Sequence, residues 1–225
     1  MRYLLIVLLG LLPVLAGAVD FADTTRHLPL GKVMQVYEDP DGSASIAQVS
    51  APGFAQHFRP HQQAVMNAGY STSVFWLKLE LRPLAQGAAT PRQWLLELAY
   101  PPLDHLELYV ANPDGHFQLA QRTGDALPYD SRQIRQSNYL FSLQLPPGQA
   151  TTVYLRLHSQ GSVQAPLALW APEAYLEAQP SHFYVLGLIS GVLVVSLVYN
   201  LFIYLCVRDV SHSYYNPYIA SFGLF

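Results

Sequence analysis

The sequence predicts an all-β domain, a jelly-roll-like β-sandwich, followed by transmembrane α-helices. Three observations predict it. The middle of the chain carries short period-two runs divided by turn residues. The stretch from Phe183 to Val207 holds no charge. Of 225 residues, 51% are hydrophobic and only 12% charged, whereas soluble domains carry about 25% charged residues. The formal net charge of -3 supplies no basic excess for phosphates, so no nucleic-acid partner is expected. A single cysteine, Cys206, excludes an intramolecular disulfide and a multi-cysteine metal site.

Residues 1–18 read as a signal peptide. Arg2 precedes an apolar run from Leu4 to Leu15, and Ala16-Gly17-Ala18 makes a small-residue cleavage site. An uncleaved anchor is the alternative, but the run falls short of the roughly 20 residues of a span, and Pro13 interrupts it. Cleavage is expected after Ala18.

Residues 19–180 read as the sandwich. Val74 to Leu81 alternates, with Phe75, Leu77, Leu79 and Leu81 on one side and Trp76, Lys78 and Glu80 on the other. Leu106 to Val110 and Thr152 to His158 do the same. Period two with one polar face marks a half-buried antiparallel strand. Further runs lie at 33–37, 94–100, 117–120, 139–145 and 166–170, giving about eight strands, a number and spacing typical of sandwiches and jelly rolls. Asp39-Pro40-Asp41-Gly42, Asn112-Pro113-Asp114-Gly115 and Pro146-Pro147-Gly148 supply the turns. The second joins a hairpin. Residues 51–69 read as a long connection, and 172–182 as a short linker.

Residues 183–207 are long and apolar enough for a first transmembrane helix. Tyr184, Tyr199 and Tyr204 suit the interfaces. Gly187 and Gly191 form a small-xxx-small pair for helix packing, and Asn200 inside the apolar run asks for helical neighbours. Residues 208–212 make a short cytoplasmic link. Residues 213–225 start a second helix, whose length of about 20 Å is short of a hydrocarbon core. The front of a longer protein, or a truncated product, is expected. The signal peptide places the sandwich outside the cytoplasm and Arg208 inside.

Signatures of catalysis are absent: no G-x-S-x-G elbow, no Gly-rich phosphate loop, no H-E-x-x-H. No enzyme activity and no cofactor are expected. His57-Phe58-Arg59-Pro60-His61 places two histidines four apart, but Pro60 argues against the helix that would make them a ligand pair. No metal site is expected, and the segment reads as a polar loop. Binding has better candidates. Trp76, Tyr109, Tyr154, Arg156 and Trp170 fall opposite the aliphatic faces. An open aromatic face stacks on sugar rings or other apolar ligands, and a second packed face under loops is the alternative. Asp125, next to Gly124, and Arg132 lie in a long inter-strand loop, where ligand contacts or a structural pair would be equally at home.

The order of these segments resembles a known family. Gly69 to Leu79, then Trp94 to Glu97, Pro102 to Tyr109, Gly124-Asp125, Pro128, Arg132, Tyr154 to Arg156 and Leu167 to Trp170 follow the strands of a bacterial periplasmic sensor domain. Tyr199 to Asp209 is similar to the end of the first helix of its membrane module. The family is the seven-transmembrane receptors with diverse intracellular signalling modules, with the type 2 extracellular domain. The resemblance implies a jelly-roll ectodomain similar to carbohydrate-binding modules, seven helices, and a cytoplasmic diguanylate cyclase or histidine kinase. At most two of those helices and no output domain fall within this sequence. The expectation is the ligand-sensing part of a receptor in a bacterial inner membrane, with the ectodomain in the periplasm and a small-molecule or carbohydrate ligand. A homodimer is compatible with it. The alternative is a membrane-tethered carbohydrate-binding module without signalling.

Overall fold

The computed structural model describes residues 18–85, 90–112, 114–207, 217–218 and 221. The signal peptide up to Gly17, the link 208–212 and most of the second span at 213–225 lie outside the described residues. The chain forms two compact units, one ending at Pro172 and the other beginning at Glu173.

The first unit runs β1 (Val19–Phe21), β2 (His27–Pro29), β3 (Gln35–Asp39), the short helix α1 (Ile46–Val49), a 3₁₀ turn (Pro52–His57), β4 (Arg59–Pro60), β5 (Met66–Tyr70) and β6 (Val74–Pro83). It continues with β7 (Arg92–Leu98), β8 (His105–Ala111), β9 (Phe117–Thr123), a 3₁₀ turn (Tyr129–Ser131), β10 (Tyr139–Leu145), β11 (Thr151–His158), β12 (Ser162–Ala165) and β13 (Leu167–Trp170). A seven-stranded sheet has the order β4-β3-β6-β11-β8-β9, with β1 parallel to the far end of β6. A four-stranded sheet has the order β10-β7-β13-β2, and β12 pairs with β5 in a small separate ribbon. This is a β-sandwich.

Alternation builds the core between the two large sheets. Leu77, Leu79, Leu81, Leu106, Leu155 and Leu157 come from the seven-stranded sheet, and Leu96, Leu98, Phe141 and Leu169 from the four-stranded one; all are buried. Phe21 of β1 meets Trp94 of β7 edge to face at 4.9 Å, a favoured aromatic geometry. The expected hairpin is present between β8 and β9. Gly115 takes φ 82 and donates its N–H to Asn112 O.

The seven-stranded sheet has a second core on its outer face. Val74, Trp76 and Tyr154 pack there with Val49 and Phe58, and Ile46, Phe54, Tyr37, Tyr109 and Phe117 close around them. The cover is the segment between β3 and β5. Ser45 caps α1, accepting from Gln48 N–H while the Gln48 side chain accepts from Ser45 N–H, a capping box. The 3₁₀ turn places Phe54 edge to face with Tyr37 at 4.9 Å. The expected bare connection at 51–69 is thus a structured lid.

The second unit holds the helix α2, Pro172–Val207. It begins at Pro172, so the segment expected to be a linker is helical. Pro at the first helical position, Glu173 in the first turn and a run rich in Ala, Leu, Glu and Gln favour that outcome. Within α2, Tyr184–Cys206 is a 23-residue stretch apolar enough to cross a membrane.

Candidate functional site

Trp76 and Tyr154 are fully or almost fully buried in the second core. Their strands place them opposite the inter-sheet face, as alternation requires, but the lid covers them. For these two the packed-face alternative holds. Burial pushes the Tyr154 phenol up to about 12.

Beside them lies a charged network that no sequence pattern picks out. Glu107 on β8 is buried. It accepts from Arg122 Nε at 2.8 Å and from Tyr109 Oη at 2.6 Å. Arg156 Nη1 stands 3.8 Å from Oε2, the oxygen that also accepts from Tyr109. The Arg156 guanidinium also lies over the Trp76 ring at 5.9 Å and donates to Gly42 O of the lid. Burial, and then the bond to Glu107, push Tyr109 up to about 12. A buried carboxylate needs such partners. The network ties lid to sheet, so Tyr109 and Arg156 sit among structural contacts.

The other predicted residues lie elsewhere. Arg132 packs over the Tyr129 and Tyr139 rings at 5.0 and 4.6 Å. Its Nη1 donates to Gln136 O and Ser137 O, so it closes its own loop. Asp125 is exposed, and its backbone N–H donates to Leu103 O. Gly124 is required there: its φ is 151, and a Cβ would overlap the Asp104 carbonyl. Trp170 donates through Nε1 to Glu97 Oε2, and Asn138 donates to Oε1 of the same carboxylate. His27 lies against the Trp170 ring at 3.9 Å. The structure therefore does not gather the seven predicted side chains into one site.

Asp104 forms a further cluster. It accepts from Gln160 N–H at 2.7 Å and from Ser159 Oγ at 3.0 Å. The Gln160 N–H first, and then Ser159 and the imidazoles of His105 and His158, hold its carboxyl below the usual range against the opposing effect of burial. Ser159 gives its hydrogen to the carboxylate and not to a histidine, so this is a structural tie. Among the described residues no three His, Cys, Asp or Glu side chains converge in a way that would hold a metal ion.

One open cavity stands out by chemistry. It lies at the β3–β4 edge of the seven-stranded sheet and has a volume of about 400 Å³. Val36 and Phe75 are in its lining, with Glu38, His57, Arg59 and His61. The strand register explains why these residues meet. Val36 pairs with Arg59, and Glu38 pairs with Phe75; directly paired residues share a face. His57, the last residue of the 3₁₀ turn, and His61, just past β4, flank Arg59 and also line the cavity. Phe58 points the other way, into the second core. Pro60 excludes a helix but suits an edge strand.

In α2, a Cβ placed on Gly187 or on Gly191 would meet nothing within 4 Å. Asn200 Nδ2 donates to Ser196 O, one turn back, at 2.8 Å, which meets part of its hydrogen-bonding need inside the helix.

No curated protein matches the chain. The family model described as 7TMR-DISM extracellular 2 matches residues 31–171, well over half of the chain. That span starts just before β3 and ends just after β13, so it coincides with most of the sandwich. The family is an extracellular sensor domain of membrane receptors and is not itself catalytic, and the apolar stretch of α2 accords with a membrane protein carrying an outward-facing domain. The chain belongs to the 7TMR-DISM extracellular 2 family.

Proposed function

We propose that the chain is the ligand-sensing part of a signal-transduction receptor of a bacterial inner membrane. The sandwich stands in the periplasm and binds a small carbohydrate-like ligand. Ligand favours one arrangement of the sandwich, and the helices pass that preference to a cytoplasmic diguanylate cyclase or histidine kinase.

The observation that carries this reading is covalent. Strand β13 ends at Trp170 and α2 begins at Pro172, leaving Ala171 alone between them. A sensor that signals through its helix calls for such a direct connection in the chain, whereas a passive tether works with a long flexible linker. A shift from 1:99 to 99:1 between two receptor states requires about a 10⁴-fold difference in ligand affinity.

The test uses the whole receptor in lipid vesicles. Saccharides that raise its melting temperature are added to the outward face, and cyclase or kinase turnover is followed. Turnover that changes with a bound saccharide supports the reading. Unchanged turnover with every saccharide that binds would sink it.

A further inference from the structure

The cavity at the β3–β4 edge has an unusual set of partners. Arg59 is exposed and, among the described residues, enters no ion pair or side-chain hydrogen bond. The His61 ring is held: its Nδ1 lies 2.7 Å from Gly31 O. A carbonyl only accepts, so Nδ1 carries the hydrogen and Nε2 is the ring's remaining polar atom, an acceptor in the neutral imidazole. Glu38 accepts from Ser73 Oγ through Oε1 at 2.8 Å, which leaves Oε2 for another donor. Val36 and Phe75 provide apolar surface between these groups.

The cavity thus offers one unpaired guanidinium, two acceptors and an apolar wall. A guanidinium pairs best with a planar carboxylate, through two parallel hydrogen bonds. Two acceptors call for hydroxyl donors. The Glu38 charge beside Arg59 disfavours a dianion such as phosphate. A volume of about 400 Å³ lies within the usual range for small-molecule sites.

We propose that this pocket binds a polyhydroxy carboxylate of monosaccharide size, a sugar acid. Arg59 holds the carboxylate, Glu38 and His61 accept from hydroxyls, and Val36 and Phe75 face the apolar side of the ring. The proposal deepens the sensor reading by naming the ligand class, and it is tested by binding alone. Output that fails to follow binding would strike the sensor reading and leave this one standing.

The experiment is calorimetric titration of the full chain in detergent micelles with glucuronate, galacturonate, glucose and inorganic phosphate. At least one uronate binds, and about tenfold or more tighter than glucose, since a charged pair is lost with the neutral sugar. Arg59→Gln removes that advantage while leaving weak sugar binding. Glu38→Gln weakens glucose more than uronate, because it removes a charged hydroxyl acceptor for both and a like charge for uronate alone. Near-UV circular dichroism verifies that both variants keep the packed fold. The proposal is overturned if neither uronate binds at millimolar concentration, if glucose or phosphate binds as tightly, or if Arg59→Gln leaves the uronate preference unchanged.

Discussion

Replacing Trp76 with alanine is expected to cost the sandwich about 2–4 kcal/mol. The ring is fully buried on the outer face of the seven-stranded sheet. Truncating such a residue costs about 3–5 kcal/mol through lost transfer energy and the cavity left behind. The neighbouring Tyr109 ring, 5.6 Å away, adds about 0.5–1.5 kcal/mol for the aromatic pair. The same variant also removes the buried indole N–H, unpaired among the described residues, which offsets about 1–3 kcal/mol, so the net cost is still a large part of a typical domain's stability of about 5–15 kcal/mol. Trp76→Phe behaves differently. It loses about 1–2 kcal/mol of buried apolar area. It also removes an indole N–H that is buried without a partner among the described residues, a defect worth about 1–3 kcal/mol. The two effects nearly cancel, and the variant should stay within about 1 kcal/mol of the parent. Urea unfolding followed by near-UV circular dichroism measures both. A Trp76→Ala cost under about 1 kcal/mol would refute the reasoning: the lid would then not be packed on Trp76, and the aromatic face would be open to ligand.

Other outcomes follow from named groups. Tyr109 and Tyr154 hold their protons up to about pH 12 in the folded state, against about 10 in an unfolded chain. The folded state therefore keeps protons that the unfolded state has released, and stability falls as pH rises from about 10 toward 12. Phenolate absorbance should show two late tyrosines; all tyrosines ionising together near pH 10 in the folded chain would contradict this. Asp104 has the opposite sign: its folded pKa is lowered, so its contribution is complete above the unfolded value of about 4 and fades as pH falls below it. Asp104→Asn should flatten that part of an acid-unfolding curve, and an unchanged slope would speak against the tie to Gln160 and Ser159. Gly124→Ala should lower thermal stability by more than about 2 kcal/mol, because it combines a disfavoured φ with overlap of the Asp104 carbonyl. A melting temperature equal to the parent's would show that the loop relaxes freely.

The sheets were legible because alternation is a strong signal. β6, β8, β10 and β11 stand where the period-two runs predicted them, within a residue or two. Strands β1, β2, β4 and β12 have four residues or fewer, too short to show a period. The second core was legible only as the alternative of a face packed under loops, because no local pattern names its cover. A polar-looking outer face, with Lys78 and Glu80 beside Trp76, reads as solvent-exposed. Its cover comes from Ile46, Val49, Phe54 and Phe58, whose irregular spacing belongs to a lid and not to a repeating element. Arg132 and Asp125 looked like loop ligand contacts because loops carry function, but Arg132 is occupied by its own loop's carbonyls. The edge pocket stayed hidden because its histidines make no sense at helical spacing and neither sits on a strand: His57 ends the 3₁₀ turn and His61 follows β4. Its other members, Val36, Glu38 and Phe75, lie on strands brought alongside by long-range pairing, which no local pattern reveals.

The lid over the seven-stranded sheet also bears on how this domain can vary. An antiparallel sheet ordinarily keeps one face in water, and that face accepts substitutions cheaply. Here β6 and β11 are packed on the outer side as well at Val74, Trp76 and Tyr154, so these positions are constrained although they point away from the inter-sheet core. Freedom to change is pushed outward, to the sheet margins and to exposed residues such as Gln118, His57 and Arg59. With the proposed edge pocket as the ligand site, a domain of this design would be retuned by changing a few residues at its rim, while the interior that holds the strands in register stays fixed.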